Sequence, residues 1–208
     1  MDFFDAITKR ATVKRYEKKD VDDKLIGVIL YTANYAESAG NLQAWEFIVV
    51  KDDEDARSQL YNASLKSDAV KSAPVNIIVC ADTKKLSLKY QERGENVYAV
   101  QDTASVATIM VLTAQMLGLG ANWIRALDED KVKQIFGIPA DIRPVGIVTV
   151  GYPAEKSEII RRQPIENLTW YNFYRKKYNK AYYFQTGPKE EVFKPIVNQL
   201  IDKLKKKK

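Results

Sequence analysis

The apolar positions of this chain recur first at helical spacing and then in short continuous runs. Asp2 precedes apolar residues that share one helical face, which predicts a short capped helix over residues 2–9. A second helix is predicted to begin at the acids of residues 20–23 and to end near Tyr35. Its predicted apolar stripe consists of Leu25, Val28, Ile29, Thr32 and Ala36.

Continuous apolar runs predict the strands. Residues 46–50 are apolar after Glu46, which predicts a strand buried on both faces at the centre of a sheet. Further strands are predicted over residues 74–81, 121–125 and 143–151.

The segment of residues 96–117 is apolar nearly all round and ends before Gly118. Its apolar run is too short and too interrupted to span a bilayer, so it predicts a central core helix. Other helices are predicted over residues 53–71 and from Asp128 to Gly137. No Gly-x-Gly-x-x-Gly follows a predicted strand, which disfavours a Rossmann fold.

A polar stretch, residues 37–45, lies between the second helix and the first strand. It combines Ser38, Asn41 and Gln43 with a glycine and Trp45. Hydrogen-bonding groups beside an indole suit a planar heteroaromatic ligand, but a polar loop with one buried tryptophan explains the composition equally well.

The amino-acid composition excludes several kinds of active site. The 208 residues include no histidine and one cysteine, Cys80, which lies in a predicted buried strand and is expected to be a small buried hydrophobe. Histidine-dependent triads and imidazole or thiolate metal sites are therefore excluded, and no metal site is expected. If the chain is an enzyme, an organic cofactor is the economical source of its reactivity.

The N-terminus lacks the basic and apolar regions of a signal peptide, so we expect a cytoplasmic protein without membrane association. The formal net charge of +6 arises partly from lysines at the C-terminal end, and we do not expect a nucleic-acid partner.

Residues 10–16 replace helical spacing with alternation, which places Arg10, Thr12 and Lys14 on one side of an extended segment. Two cations and a hydroxyl on one edge can hold a phosphate, although a solvated basic strand is the simpler explanation of this segment alone. Residues 168–184 interleave aromatic and basic side chains. We expect residues 168–208 to form an arm that packs on a partner protomer.

Three separated motifs together resemble the FMN-dependent nitroreductase family. Residues 10–16, Arg-Ala-Thr-Val-Lys-Arg-Tyr, resemble its N-terminal Arg-x-Ser-[Ile/Val]-[Arg/Lys]-x-[Phe/Tyr] segment. Residues 38–45 resemble its Pro-Ser-x-x-Asn-x-Gln-Pro-Trp segment, with Glu37 and Ala44 in place of the prolines. Later landmarks follow in the same order: residues 118–124, Gly151-Tyr152-Pro153 and Arg161-Arg162-Gln163-Pro164.

The resemblance implies an α+β fold with three layers, in which helices flank a central mixed or antiparallel sheet. Residues 1–167 would form the FMN-binding domain of a homodimer whose two sites are each built from both protomers. Arg10 and Arg162 would bind the FMN phosphate, and Thr12 would bond the ribityl chain. Lys14 would lie near flavin N1 and favour two-electron reduction. Ala11 stands where many members carry a second arginine.

The remaining predicted contacts also come from the resemblance. The flavin ring would meet the residues Ser38, Ala39, Asn41 and Gln43, some of them across the dimer interface. Backbone amides of Ile124, Arg125 and Ala126 would approach flavin N5. No side chain is assigned as catalytic, because N5 is the reactive centre. Arg125 would lie at the mouth of the site and favour anionic acceptors.

The activity implied is ping-pong hydride transfer from NADH or NADPH to a nitroaromatic, quinone or related acceptor. Two alternatives remain open from the sequence. One is an FMN-dependent dehydrogenase or dehalogenase of the same fold. The other is a flavin-binding or nucleic-acid-binding protein without catalysis.

Overall fold

The computed structural model describes residues 1–176 of the chain. Its packing separates two compact units, Met1–Ile159 and Ile160–Lys208. The second unit is described as far as residue 176, so the predicted terminal helix and most of the aromatic arm lie outside the described residues. The boundaries predicted for the FMN-binding domain and the arm stay a prediction.

The first unit is built on an antiparallel sheet. Its strands are β1 (Trp45–Val50), β2 (Val75–Asp82), β3 (Gly120–Ile124) and β4 (Ile142–Gly151), which lie in the order β1-β2-β4-β3. The two strands with the most continuous burial, β2 and β4, are the central pair.

The prediction for residues 46–50 is wrong in one respect. A strand forms there, but β1 is an edge strand, and Glu46 and Val49 are exposed. An apolar run signals burial without showing how many neighbours a strand has. Among residues 1–176, the sheet continues on one side of β1 alone.

Helices cover both faces of the sheet. They are α1 (Phe3–Lys9), α2 (Asp23–Ala33), α3 (Glu54–Ala63), α4 (Asp68–Ser72), α5 (Thr83–Arg93), α6 (Ala99–Met116) and α7 (Glu129–Phe136). An aspartate side chain accepts a hydrogen bond at the N-terminus of each of α1, α2, α3, α5 and α7. Such caps satisfy backbone N–H groups that have no partner inside the helix.

Alternate residues of β2 divide between two cores. Ile77 and Val79 pack with α2 and α6, whereas Ile78 and Cys80 pack with α3, α4 and α7. Because successive side chains of a strand point to opposite faces, this division defines three layers. The predicted α+β architecture with helices flanking an antiparallel sheet is confirmed.

The predicted core helix is confirmed as α6, which is the second half of a longer helical run. Thr83–Met116 is long and apolar enough to cross a membrane by length and composition, and 44% of its apolar window is buried inside the fold. Val106, Ala107 and Met110 are fully buried against α2 and the sheet. The run is interrupted at Gln91, whose φ is 52°, and by a π-helical turn at Gly94–Tyr98.

The apolar stripe predicted for α2 is confirmed except at Val28, and it also includes Ile26 and Ala33. Ile26, Ile29 and Ala33 are buried, whereas Val28 is 42% exposed. The packing against α6 selects this face, including a hydrogen bond between the Thr32 and Thr113 hydroxyls at 2.9 Å.

Candidate functional site

A cleft lies where the N-terminal segment crosses β3 and α6. We call it the basic cleft; its volume is about 390 Å³, within the range of small-molecule sites. Its walls combine cationic, hydroxyl, amide and apolar side chains, namely Arg10, Thr12, Ala107, Thr108, Val111, Leu112, Asn122, Trp123 and Arg125.

Backbone pairing aligns the N-terminal segment along this cleft. Thr12 forms a parallel bridge with Ala121, and the Val13 N–H donates to the Ala121 carbonyl at 3.3 Å. A Cβ at Gly120 would lie 2.5 Å from the Val13 side chain, so the close approach requires a glycine there. Arg10 and Thr12 are thereby held at the end of α1, facing the cleft.

Tyr16 secures the other end of this segment. It pairs with Pro153, and its buried hydroxyl lies 2.6 Å from the Thr149 hydroxyl. Burial raises the pKa of the Tyr16 phenol well above its usual range, so the side chain is a neutral structural anchor.

The electrostatic character of the basic cleft is cationic. Arg10 and Arg125 line it, and within the described first unit no carboxylate does. The Arg125 guanidinium lies 5.1 Å from the centre of the Trp123 ring, which keeps an aromatic surface beside the charge. Hydroxyl and amide groups complete the polar wall, so the cleft fits an anionic ligand that also carries hydroxyls.

The structure brings some of the residues predicted for the FMN site together in the basic cleft. Arg10, Thr12 and Arg125 line the basic cleft, and Ile124 and Ala126 flank Arg125 in the chain. In the described part of the chain, Lys14 is exposed and lies outside the lining residues. Thr108 and Asn122 also line the cleft, although they were not predicted from the sequence. The one feature of the sequence that could have indicated them is a polar side chain on an otherwise apolar helix or strand.

The second group of predicted residues forms a compact polar turn, residues 38–43. Gly40, Asn41 and Gln43 all have left-handed φ angles of 57°, 56° and 50°. The Gln43 N–H donates to the Ser38 hydroxyl at 3.1 Å, and its side-chain amide donates to Asn41 Oδ1 at 3.0 Å. Non-glycine residues in this conformation cost of order 1–3 kcal/mol and persist where surrounding contacts impose them.

The polar turn borders a cleft of about 740 Å³, which we call the tyrosine cleft. Asn41 and Gln43 line it together with Tyr31 and Tyr35, whose hydroxyls lie 2.8 Å apart. Within one chain the polar turn and Arg10 therefore line different clefts.

A third cleft, of about 420 Å³, lies on the other side of the polar turn. We call it the Asp102 cleft because its lining includes Asp102, a buried acid on α6 that sequence reasoning missed. Both Asp102 oxygens accept from the Ala39 N–H, at 3.2 and 3.1 Å. Burial raises the pKa of the Asp102 carboxyl, and the Ala39 hydrogen bond opposes that rise.

Two other predicted features have structural roles. Trp45 is buried in the core, and its indole N–H donates to Asn34 Oδ1 at 3.1 Å. Of the two explanations left open for this stretch, the buried tryptophan is the one that describes Trp45, and tyrosines supply the aromatic surface beside the polar turn. Cys80 is buried as predicted, and burial raises the pKa of its thiol to about 12, so it is not a nucleophile at neutral pH.

Arg162 belongs to the second unit, Ile160–Lys208. That unit contains a 3-10 turn at Ile165–Asn167 and an edge-to-face contact between Trp170 and Tyr174, whose ring centres are 5.6 Å apart. The predicted role of Arg162 at the phosphate stays a prediction.

Comparisons with known proteins agree with this architecture. The model of the nitroreductase family matches residues 7–71 and 62–152. A Methanothermobacter thermautotrophicus protein named as an NADH dehydrogenase/NAD(P)H nitroreductase is 33% identical over 159 residues, covering 74% of this chain and 79% of its own length. A protein of the same name from Archaeoglobus fulgidus is 30% identical, covering 73% of this chain and 86% of its own length.

A solved structure gives the same result. The crystal structure of a nitroreductase family protein from Streptococcus pneumoniae superposes with a TM-score of 0.72 at 27% identity, covering 81% of this chain and 98% of that one. The family match spans most of the first unit, including the basic cleft and the polar turn. The chain therefore belongs to the nitroreductase family of oxidoreductases.

Proposed function

We propose that this protein is an FMN-dependent NAD(P)H oxidoreductase that works as a homodimer. The observation that carries the proposal is the basic cleft, where Arg10 and Arg125 meet hydroxyl and amide groups beside an apolar wall. This donor set matches a ligand with a phosphate, a polyol and a flat ring, which are the three parts of FMN.

Each part of the cofactor has a suitable partner in the basic cleft. Arg10 would hold the phosphate by charge-assisted hydrogen bonds. Thr12, Thr108 and Asn122 would serve the ribityl hydroxyls, and Val111 with Leu112 would form the apolar wall. When bound, FMN would supply ping-pong hydride transfer, taking a hydride from NADH or NADPH at N5 and passing two electrons to an acceptor.

The separation of the clefts supports a site shared between protomers. Asp102 beside the polar turn and Val111 at the basic cleft lie nine residues apart on α6, about 14 Å along the helix axis. A second copy would bring its polar turn to the first copy's basic cleft and present Ser38, Asn41 and Gln43 to the flavin ring.

Exposed apolar side chains on α1, on α6, and on α2 with the turn that follows it also favour a partner protomer. Phe3 is 57% exposed, Tyr31 66%, Tyr35 71% and Met116 46%. Large exposed apolar groups of this kind are typical of protein interfaces. A homodimer would bury them together with the tyrosine cleft.

The protein's own residues bind and orient in this scheme and do not need to transfer protons. The sequence contains no histidine, and the basic cleft of the described first unit contains no acid. Val111 and Leu112 exclude water from one wall, and Arg125 offers a cation to the acceptor. We propose a nitroaromatic, quinone or related compound as that acceptor, in line with the names of the relatives.

A visible spectrum of the full-length protein tests the proposal. We expect a yellow protein, or one that becomes yellow on adding FMN, and its absorbance should bleach anaerobically with NADH or NADPH and recover with a nitroaromatic or quinone. A colourless protein that takes up no FMN would overturn the proposal. FMN binding without turnover of these acceptors would favour a different reaction on the same fold.

A further inference from the structure

Asp102 lies where a polar residue is least expected, on the core helix α6. Its side chain is 6% exposed, and its neighbours Thr103, Val106 and Ala107 are buried. A buried carboxylate carries a desolvation cost that must be offset by hydrogen bonds. The bond that it makes runs to the backbone N–H of Ala39, in a different element of the fold.

 Ala39 attaches the polar turn to α6 at the first residue of a 3-10 turn. The 3-10 turn spans Ala39–Asn41. The left-handed residues Gly40 and Asn41 lie within it, and the left-handed Gln43 follows Leu42. The Ala39 N–H is bonded to a rigid core helix, so the start of the strained turn is tied to the sheet and its packed helices. Left-handed backbone at non-glycine positions persists where neighbouring contacts impose it.

The side chains around Asp102 offer its carboxylate no cation, which leaves the hydrogen bond from the Ala39 N–H as its described partner. Its cleft is also lined by Glu37, Tyr90 and Tyr98, none of them cationic. In the part of the chain that the structure describes, no ion pair involves the Asp102 carboxylate. A charged acceptor on a backbone N–H makes a stronger bond than a neutral one.

We propose that Asp102 is a positioning residue that holds the polar turn through the Ala39 N–H, so that Asn41 and Gln43 are presented to the flavin ring. This inference rests on the proposed function, since Asp102 acts on the ligand through the turn. Asp102 itself does not touch the cofactor in this scheme.

The first test needs no cofactor. Backbone amide exchange in the full-length apoprotein should show a protected Ala39 N–H. Asp102→Leu, which keeps the branched shape of the side chain and removes the acceptor, should accelerate this exchange by about tenfold or more. The matched control is Asp53→Ala, which removes a carboxylate bond to the Ala56 N–H at the start of α3, at 2.9 Å. That control should leave Ala39 exchange unchanged. A rapidly exchanging Ala39 amide in the unaltered protein would overturn the inference without any variant.

The second test measures FMN affinity by quenching of flavin fluorescence. Asp102→Leu should weaken binding by about tenfold, Asp53→Ala by less than about twofold, and Asp102→Asn, which keeps an oxygen acceptor, should restore most of the affinity. Equal losses in Asp102→Leu and Asp53→Ala would reduce Asp102 to a structural role. If the unaltered protein bound no FMN, the proposed function would fail, whereas the exchange measurement would still decide whether Asp102 holds the turn.

Discussion

The basic cleft and the polar turn are held in place by different kinds of interaction. Arg10 and Thr12 lie on a segment aligned by backbone pairing to β3, and their side chains line a cleft open to solvent. Asn41 and Gln43 lie on a left-handed turn that is tied to α6 through Asp102. A side-chain change in the basic cleft should therefore alter ligand binding with little effect on stability, whereas a change in the turn should alter both.

Arg10→Ala should give the largest effect on binding. Hydrogen bonds to charged groups contribute about 1.5–3 kcal/mol, so the Kd for FMN should rise roughly 10- to 100-fold. Arg15→Ala is the matched control, because Arg15 is exposed in the same segment and lies outside the lining of the cleft in the described first unit. Titration of each apoprotein with FMN measures the difference. Equal losses for the two variants would show that net charge, and not the cleft, governs binding.

Gly40→Ala should destabilise the polar turn. A left-handed backbone costs a residue with a Cβ about 1–2 kcal/mol, and this Cβ would also meet the Tyr90 hydroxyl and the Lys89 ammonium. Denaturant unfolding of the apoprotein measures the loss of stability.

Gly27→Ala provides the contrasting control for Gly40→Ala. Gly27 lies in α2, and a Cβ there would meet no other described atom within 4 Å. Alanine is the better helix former, so this variant should gain about 0.5–1 kcal/mol. A neutral effect of Gly40→Ala would contradict the strained conformation of the turn.

Asp102→Asn should change how the stability of the protein depends on pH while keeping an oxygen acceptor for the Ala39 N–H. Burial raises the folded-state pKa of this carboxyl above its unfolded value, so the native protein loses stability as the pH rises through that interval. The asparagine variant does not titrate there. The stability of this variant relative to the unaltered protein should therefore rise as the pH rises through that interval and fall as the pH falls toward the unfolded pKa. Thermal unfolding of both proteins at a series of pH values measures this difference in stability. A relative stability of the variant that rose as the pH fell would contradict the raised pKa of Asp102.

Arg125→Ala should give the smallest effect. Arg125 is exposed, and pairing between exposed charges contributes about 0.2–1 kcal/mol, so the preference for acidic over neutral acceptors should fall by roughly two- to fivefold. Arg125→Lys keeps the charge and should retain most of the preference. Turnover rates with paired acidic and neutral acceptors measure this preference. If Arg125→Ala left the preference unchanged, Arg125 would not select acidic acceptors.

Local patterns in the sequence predicted much of the molecule, including both groups of candidate residues. The caps at Asp2 and Asp128 and the alternation of Arg10 with Thr12 depend on neighbouring residues, so they can be recognised without the fold. The helix α5 was missed because its sequence is strongly polar and its cap, Asp82, is also the last residue of the strand β2. Asp102 was missed because its partner, Ala39, lies 63 residues earlier in the chain.

The sequence by itself determined most of the helices and strands, the exclusion of histidine chemistry and the identity of the polar groups that the site can use. The tertiary structure decided that β1 lies at the edge of the sheet, that Trp45 is a core residue and that the polar turn lines a different cleft from Arg10. The physical reason is the range of the interactions. Caps and periodicity act within a few residues, whereas sheet order, burial and a bond such as Asp102 to Ala39 join segments that meet only in the folded chain.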